Sequence, residues 1–296
     1  MFREILVPLD GSKLSEASHE AAAALAEHFE SSVVLLHVIE QNPPAEVHHE
    51  RHLRTAQEAR VYLERLAAAA FRPGMRVEAH VHEDPASDVA RAIVEHASAE
   101  FRADLIVTCT HGRGGIRDLL FGSIAQQIVA RGEVPLLLIK PGRAGFRVSR
   151  ILVPLDPDSR HEGSLEPAAV LARAFDASLE LLSVVPTVAT LAGEEAAASS
   201  LMPTAAQAIL GLREEQAADH LLEHVETLRA RGLGATSSIA RGDPAAQILL
   251  AADRGGADMI ILSTHRRMGL EAFWSKSVAP RVAKGTQKPL LLLPIG

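Results

Sequence analysis

The chain is poor in cysteine and in aromatic residues. Cys109 is the one cysteine, and aromatics make up 3% of the sequence. A single thiol excludes an intrachain disulfide and favours a reducing compartment. The hydrophobic cores must therefore be built from Ala, Val, Leu and Ile, and a hydrophobic content of 47% is sufficient for that. The composition predicts a folded protein without disulfide support.

An excess of basic charge is also missing. The chain has 30 Lys and Arg residues against 37 Asp and Glu residues, which gives a formal net charge of −7. Nucleic-acid binding usually needs a positive surface, so we expect no nucleic-acid partner. A nucleotide is not excluded, because backbone N–H groups can bind phosphate without basic side chains.

Long hydrophobic runs are absent as well. No stretch approaches the roughly 18 apolar residues of a membrane span. The apolar run near the N-terminus is interrupted at Pro8 and Asp10, and it is too short and too acidic for a signal peptide. We therefore expect a cytoplasmic protein with no membrane partner.

The sequence contains an internal repeat. Matching blocks occur in the same order in both halves: ILVPLD at 5–10 and 151–156, VVLLHV at 33–38 with LELLSV at 179–184, DPA at 84–86 and 243–245, and PLLL at 135–138 and 289–292. The difference in residue number between matching blocks grows and then shrinks along the chain. The second copy therefore has about thirteen extra residues, which we assign to a loop at 186–204, and later lacks five. The repeat predicts two domains, 1–145 and 146–296, joined by a linker at 141–150.

Each copy alternates short apolar runs with segments of helical periodicity. Runs of four to seven apolar residues are typical of buried parallel strands. Asp84-Pro85 and Asp243-Pro244 each predict an N-cap carboxylate followed by proline at the first helical position. The predicted fold class is α/β, with two tandem five-stranded parallel sheets, each covered by helices on both faces.

Ligands of open α/β sheets bind at the carboxyl ends of the strands, and polar or glycine-rich residues follow three predicted strands here. Asp10 follows the first strand, Val38 ends the second, and CTHGRGG at 109–115 follows the fourth. Asp10 could accept hydrogen bonds from a ribose or hold a divalent cation. The backbone of Val38 could contact an adenine edge.

The segment after the fourth strand is suited to a polyphosphate. Its glycines permit close approach of the backbone to a ligand. Gly122-Ser123, at a predicted helix start, offers unpaired N–H groups, a hydroxyl and the positive end of the helix dipole.

Taken together, ILVPLD, LLHV, THGRGG, FGSIA and VPLLLI resemble the universal stress protein family, and the resemblance covers nearly the whole chain as two family domains. It implies a Rossmann-like fold of the adenine-nucleotide α-hydrolase type. It also implies that the last strands, within 134–140 and 288–294, pair between the domains as a pseudo-dimer. Such pairing would cover two apolar edges.

The ATP-binding branch of that family carries a glycine, two residues, a second glycine, nine residues and then Gly-Ser or Gly-Thr. Gly112 and Gly122-Ser123 match the motif, whereas Cys109 replaces the first glycine. At a position that needs positive φ this cysteine would cost roughly 1–3 kcal/mol. The ATP-binding residues implied by the resemblance and the strand ends are Pro8, Leu9, Asp10, Val38, Thr108, Cys109, His111, Gly112, Arg113, Gly122, Ser123, Ile124 and Ala125.

The second copy departs further from the motif. Ser263, Arg266 and Lys276 stand at the three glycine positions, followed by Ser277. Two long cationic side chains would occupy the place of the phosphates. We expect this copy to act as a scaffold for the first.

The resemblance implies a stress-associated protein that binds ATP, ADP or AMP in the first copy, with Mg²⁺ accompanying the nucleotide through Asp10. No catalytic residue is assigned, so hydrolysis should be slow at best. One alternative is a nucleotide-free scaffold acting through protein partners, which Cys109 favours. A less favoured alternative is an adenylating enzyme, because residues 10–13 read Asp-Gly-Ser-Lys instead of the phosphate loop that such enzymes need. A homodimer of the whole chain is left open.

Several histidines lie outside this set. His48, His49 and His52 could present metal ligands at helical spacing, but a solvated helix start is the favoured interpretation. His80 and His82 alternate along a strand and are interpreted as half-buried strand residues. His37 is expected to be a hydrogen-bonded core histidine.

Overall fold

Both copies contribute to one ten-stranded sheet. The computed structural model describes residues 1–110, 123–131, 133–142, 145–156, 163–191, 193–265 and 278–295. The strands of the first copy are β1 (Glu4–Pro8), β2 (Ser32–Glu40), β3 (Glu46–Val47), β4 (Glu50–Arg51), β5 (Arg76–Ala86), β6 (Leu105–Cys109) and β7 (Leu136–Ile139). Those of the second copy are β8 (Arg150–Pro154), β9 (Ser178–Val185), β10 (Ala235–Arg241), β11 (Met259–His265) and β12 (Leu290–Ile295).

The strand order of the large sheet is β10-β9-β8-β11-β12-β7-β6-β1-β2-β5. Neighbours within each copy pair in parallel, whereas β12 and β7 pair antiparallel, with Leu290 opposite Leu138 and Leu292 opposite Leu136. The predicted sheets of five parallel strands and the predicted pairing of the last strands are both confirmed. Strands β3 and β4 form a separate hairpin.

The described helices of the first copy are α1 (Lys13–Glu16), α2 (Ser18–Phe29), α3 (Ala56–Ala70), α4 (Val89–Glu95) and α5 (Ser123–Arg131), and a π-helical turn at His96–Glu100 follows α4. Those of the second copy are α6 (Leu165–Phe175), α7 (Gly193–Leu201), α8 (Pro203–Ala230), α9 (Pro244–Arg254) and α10 (Val278–Gly285). Across the described residues, no helix is both long and apolar enough to cross a membrane.

Two hydrophobic layers cover the sheet. Ile5 and Val7 pack on one face with α2 and α3, and Leu6 packs on the other face with α4 and α5. Each layer continues across the β7–β12 seam, because Leu137 belongs to the first layer and Leu138 to the second. Burial on both faces explains why the strands are continuous apolar runs.

The structure corrects two local predictions. The segment at 186–204, predicted as a loop, contains a 3₁₀ turn at Val188–Thr190, all of α7 and the start of α8. Its alanines and glutamates favour helix, and they outweigh its serines and threonines.

The second correction concerns the helix after β5. Asp84 and Pro85 lie inside β5, and the N-cap of α4 is Asp88, whose side chain accepts a hydrogen bond from the Arg91 N–H. In the second copy Asp243 caps α9 as predicted, with Pro244 at the first turn. Sequence matching was misled because β5 continues past an irregularity after Val38 of β2.

Candidate functional site

Asp10 lies two residues beyond the end of β1. Its Oδ1 accepts hydrogen bonds from the Ser12 N–H at 2.9 Å and the Ser12 hydroxyl at 2.7 Å, while its Oδ2 lies 3.5 Å from Nε2 of His48. Burial alone would raise the pKa of Asp10, but the hydrogen bonds from Ser12 and the nearby His48 outweigh it, so the pKa is lowered. Asp10 is therefore anionic at neutral pH, and its side chain stays 34% exposed.

The end of β2 extends past β1. The last β1–β2 pair is Pro8 with Leu36, and the Leu9 N–H then donates to the Leu36 carbonyl at 2.8 Å. Alternate residues of a strand direct their peptide groups to the same side. The N–H and C=O of Val38 therefore point towards the β1 side, beyond the last β1 pair, while its side chain is buried.

The end of β6 contributes Thr108 and Cys109. Thr108 is buried, and Cys109 is half-buried beside Ile139 of β7. Burial, followed by the charge of Asp10, raises the pKa of Cys109 to about 12. The thiol is therefore protonated at neutral pH and acts as a small packed side chain, because the thiolate is the reactive form.

Helix α5 begins at Ser123, and its first turns pack on the sheet. Ala125 is buried and Ile124 is half-buried against the same hydrophobic layer. The predicted contacts at His111, Gly112, Arg113 and Gly122, and the side chain of Ser123, lie outside the described residues. The same holds for Arg266, Lys276 and Ser277 of the second copy.

A hairpin that the sequence did not indicate contacts this site. Strands β3 and β4 join through His48 and His49, which have φ angles of 51° and 66°. The Lys13 N–H donates to Oε1 of Glu50 at 2.9 Å, so the hairpin is bound to the loop that carries Asp10. The interpretation of His48 and His49 as a helix start is therefore wrong, since α3 begins at Ala56.

Two buried histidines, His37 and His52, have ring centroids 6.4 Å apart. His37 is 1% exposed, and its Nδ1 lies 2.8 Å from the Leu9 carbonyl, so Nδ1 carries the proton and donates. Burial lowers the pKa of His37, which keeps the ring neutral. His52 is equally buried, with Nε2 at 3.2 Å from Oε1 of Glu40. The prediction of His37 as a hydrogen-bonded core residue is confirmed at Nδ1, whereas its Nε2 has no partner in the described part of the chain.

The second copy repeats the strand framework with different residues at several of these places. The Leu155 N–H donates to the Leu182 carbonyl at 2.8 Å, as Leu9 does to Leu36, and Asp156 follows β8 at the place of Asp10. Ser183 stands where the first copy has His37. The 3₁₀ turn and α7 follow β9, where the first copy has the hairpin after β2.

The described geometry defines a class of protein: two α/β repeats, each with five parallel strands, joined edge to edge in one sheet. The universal stress protein family model matches residues 1–140 and 147–294. The chain belongs to the universal stress protein family.

Curated relatives agree with this assignment, and a solved structure has the same fold. Universal stress protein MJ0531 of Methanocaldococcus jannaschii is 29% identical over 146 residues, which is 47% of this chain and 83% of that protein. Universal stress protein Sll1654 of Synechocystis sp. is 30% identical over 140 residues, 47% of this chain and 86% of that protein. The crystal structure of a universal stress protein from Archaeoglobus fulgidus has a TM-score of 0.70 at 17% identity and covers 99% of this chain and 96% of its own, a likeness of fold.

Proposed function

We propose that the first copy binds an adenine nucleotide, with ATP as the preferred ligand, and that the second copy serves as its pseudo-dimer partner. The observation that carries the proposal is Asp10. Its carboxylate is anionic and partly exposed at the end of β1, beside the outward-directed peptide groups of Val38. A carboxylate next to an open strand edge suits a ribose hydroxyl and an adenine edge.

The remaining roles follow the chain order. Oδ2 of Asp10 accepts from the ribose, and the Val38 backbone contacts adenine. Pro8, Leu9, Thr108, Cys109, Ile124 and Ala125 line the crevice. Gly112, Gly122 and Ser123 hold the phosphates with their backbone N–H groups and the Ser123 hydroxyl, and His111 and Arg113 flank them.

In the alternative arrangement, Asp10 holds the Mg²⁺ that accompanies the nucleotide in place of the ribose contact. Oδ1 already accepts two hydrogen bonds from Ser12, which leaves Oδ2 as the oxygen that could face a cation. Mg²⁺ sites of nucleotides commonly use one or two carboxylates, with phosphates and water completing the shell. One carboxylate oxygen is therefore sufficient here.

In the proposed role, the protein senses nucleotide in the cytoplasm during stress and hydrolyses it slowly at best. Cys109 is the thiol at the crevice, and burial keeps it protonated. A protonated thiol beside a carboxylate is a poor nucleophile. This thiol is therefore not expected to attack a bound nucleotide, and the proposal assigns no catalytic residue.

Mass spectrometry of the purified, then denatured, full-length protein tests the proposal. We expect a released adenine nucleotide at up to one equivalent per chain, and its mass identifies ATP, ADP or AMP. Protein that releases none, and that also fails to bind added ATP and Mg²⁺ at hundreds of micromolar, would instead be the scaffold that acts through protein partners.

A further inference from the structure

Three histidines and a glutamate meet on the outer edge of the first copy, and none of them belongs to the proposed nucleotide set. His80 and His82 lie on β5, which is the edge strand of the large sheet. Being two residues apart, they face the same side. His96 and Glu100 lie on the π-helical turn that follows α4 and faces that side. Single π turns inside helices frequently occur at functional sites.

The four side chains are connected through His96 and Glu100. Nδ1 of His96 lies 2.5 Å from Oε2 of Glu100, and Nε2 of His80 lies 3.8 Å from Oε1 of Glu100. Nε2 of His96 lies 2.9 Å from Nδ1 of His82. One ligand atom each from His80, His96 and Glu100 lies within 4.8 Å of the other two. The carboxylate therefore sits between two imidazole nitrogens.

The two histidine ligands are held in place by packing against an aromatic ring. His96 is 11% exposed, and its ring and that of His80 lie against Phe101, with centroids 6.0 and 5.0 Å from the phenyl ring. The site therefore combines a packed imidazole with an exposed glutamate whose side chain can adjust.

The second copy shows that the fold does not require this cluster. Leu182 pairs with Ser238 as Leu36 pairs with His80, and Val184 pairs with Ala240 as Val38 pairs with His82. A strand carrying serine and alanine at these places forms the same sheet. The histidines on β5 are therefore additions to the common framework.

The π turn is likewise specific to the first copy. The Ala103 N–H bonds to the Ala97 carbonyl, six residues back, whereas the Ala257 N–H bonds to the Ala252 carbonyl, five residues back. The first copy thus contains one extra residue at the end of this helix, and that residue produces the turn that carries His96 and Glu100. The two copies therefore differ both on this strand and at this helix end, which are the places that carry the ligand atoms.

From this juxtaposition we propose that His80, His96 and Glu100 form a binding site for a divalent transition metal of the zinc class. His80 binds through Nε2, His96 through Nδ1 and Glu100 through a carboxylate oxygen. His82 is a positioning residue, because its Nδ1 accepts the N–H that His96 Nε2 then carries and so fixes the tautomer of the ligand. Two histidines and a glutamate leave one tetrahedral position for water.

The distances fit this assignment. Zinc–nitrogen bonds of about 2.0–2.1 Å place tetrahedral ligand atoms about 3.3 Å apart. His96 Nδ1 lies 2.5 Å from Oε2 of Glu100 and His80 Nε2 lies 3.8 Å from its Oε1, on either side of that value, and all three ligand atoms lie within 4.8 Å of one another. The Glu100 side chain is 48% exposed, so its rotation can adjust both. Imidazole and carboxylate together suit zinc better than magnesium or calcium, which prefer oxygen ligands.

The test is a zinc titration of EDTA-stripped, nucleotide-free, full-length protein against a chromophoric chelator. We expect one site per chain, and Co²⁺ bound at that site should give visible absorption bands of a nitrogen- and oxygen-ligated ion. His96→Phe, which keeps the ring packing on Phe101, should weaken zinc binding by at least about 100-fold. Circular dichroism establishes that this variant is folded.

Two further sets of variants separate the site from adventitious binding. His82→Leu should weaken zinc binding about 10–100-fold and shift the Co²⁺ bands, and His82→Gln, whose oxygen can accept the same N–H, should restore both. His220 and His224 of α8 also form a contacting pair, at 3.2 Å, and the variant His220→Gln/His224→Gln should leave the affinity unchanged. No binding at 100 µM zinc, unaltered affinity in His96→Phe, or loss of binding in the α8 variant would overturn the proposal.

Discussion

Gly11 determines how closely the hairpin approaches Asp10. Its φ is 90°, and a Cβ added there would lie 2.8 Å from both Cγ and Cδ1 of Leu53, the side chain that follows the hairpin. The backbone conformation and the packing thus both require glycine at this position. Hairpin and carboxylate stay in contact because no side chain separates them.

Gly11→Ala should lower the free energy of unfolding by more than Gly74→Ala does. Gly74 has a similar φ of 93°, but nothing lies within 4 Å of its added Cβ. Both variants incur about 1–3 kcal/mol of backbone strain, and Gly11→Ala adds about 1–3 kcal/mol of overpacking. Urea unfolding measures both values, and equal losses would contradict the packing argument.

The sequence was sufficient to place the residues at or just beyond the strand ends. Asp10 and Val38 were predicted because parallel strands bring their carboxyl ends to one edge. His48 was not predicted as a neighbour of Asp10, since that contact depends on a hairpin turn. Two consecutive histidines at positive φ replace the usual Asn-Gly signature of such a turn. The local sequence therefore gave no sign of it.

The start of the helix after β5 also could not be predicted from the local sequence. Asp84-Pro85 has the composition of a helix start, yet Asp88 caps α4 and also pairs with Arg131 of α5 at 2.5 Å. Asp243 caps α9 and pairs with Arg281 of α10 at 2.7 Å. In both copies, the aspartate that caps one helix also forms an ion pair with an arginine of the next helix. Alignment of the two Asp-Pro-Ala segments could not reveal this contact.

Asp88→Ala should destabilise the protein by about 0.5–2 kcal/mol, because it removes the cap of α4. Asp84→Ala, in the exposed end of β5, should change the free energy of unfolding by no more than about 0.5 kcal/mol. Chemical denaturation of the two variants side by side measures this difference. A larger loss for Asp84→Ala would restore the original interpretation of a helix start at Asp84-Pro85.

In the whole molecule, the resemblance to the universal stress protein family correctly implied that the last strands of the two copies pair. Pairing of β7 with β12 merges two five-stranded sheets and covers the edge of each. The two copies are similar in framework and different in their polar residues. The hairpin, His37 and the π turn all belong to the first copy. The two copies are therefore expected to differ in function.

Removal of residues 146–296 should expose the edge of β7. An uncovered apolar edge strand is a template for pairing with another chain. We expect the fragment 1–145 to dimerise or precipitate, whereas the full chain keeps that edge paired internally. Size-exclusion chromatography with light scattering measures the difference. A monomeric, well-behaved fragment would show that the seam contributes little to solubility.

The central claim is that one crevice per chain, in the first copy, binds an adenine nucleotide. Isothermal titration with ATP and Mg²⁺ tests it most directly when wild type is compared with Asp10→Asn and with the matched variant Asp156→Asn of the second copy. We predict a stoichiometry of one, affinity weakened about 10–100-fold in Asp10→Asn through loss of a charged hydrogen-bond acceptor, and unchanged affinity in Asp156→Asn. No binding, two sites per chain, or a loss confined to Asp156→Asn would contradict it.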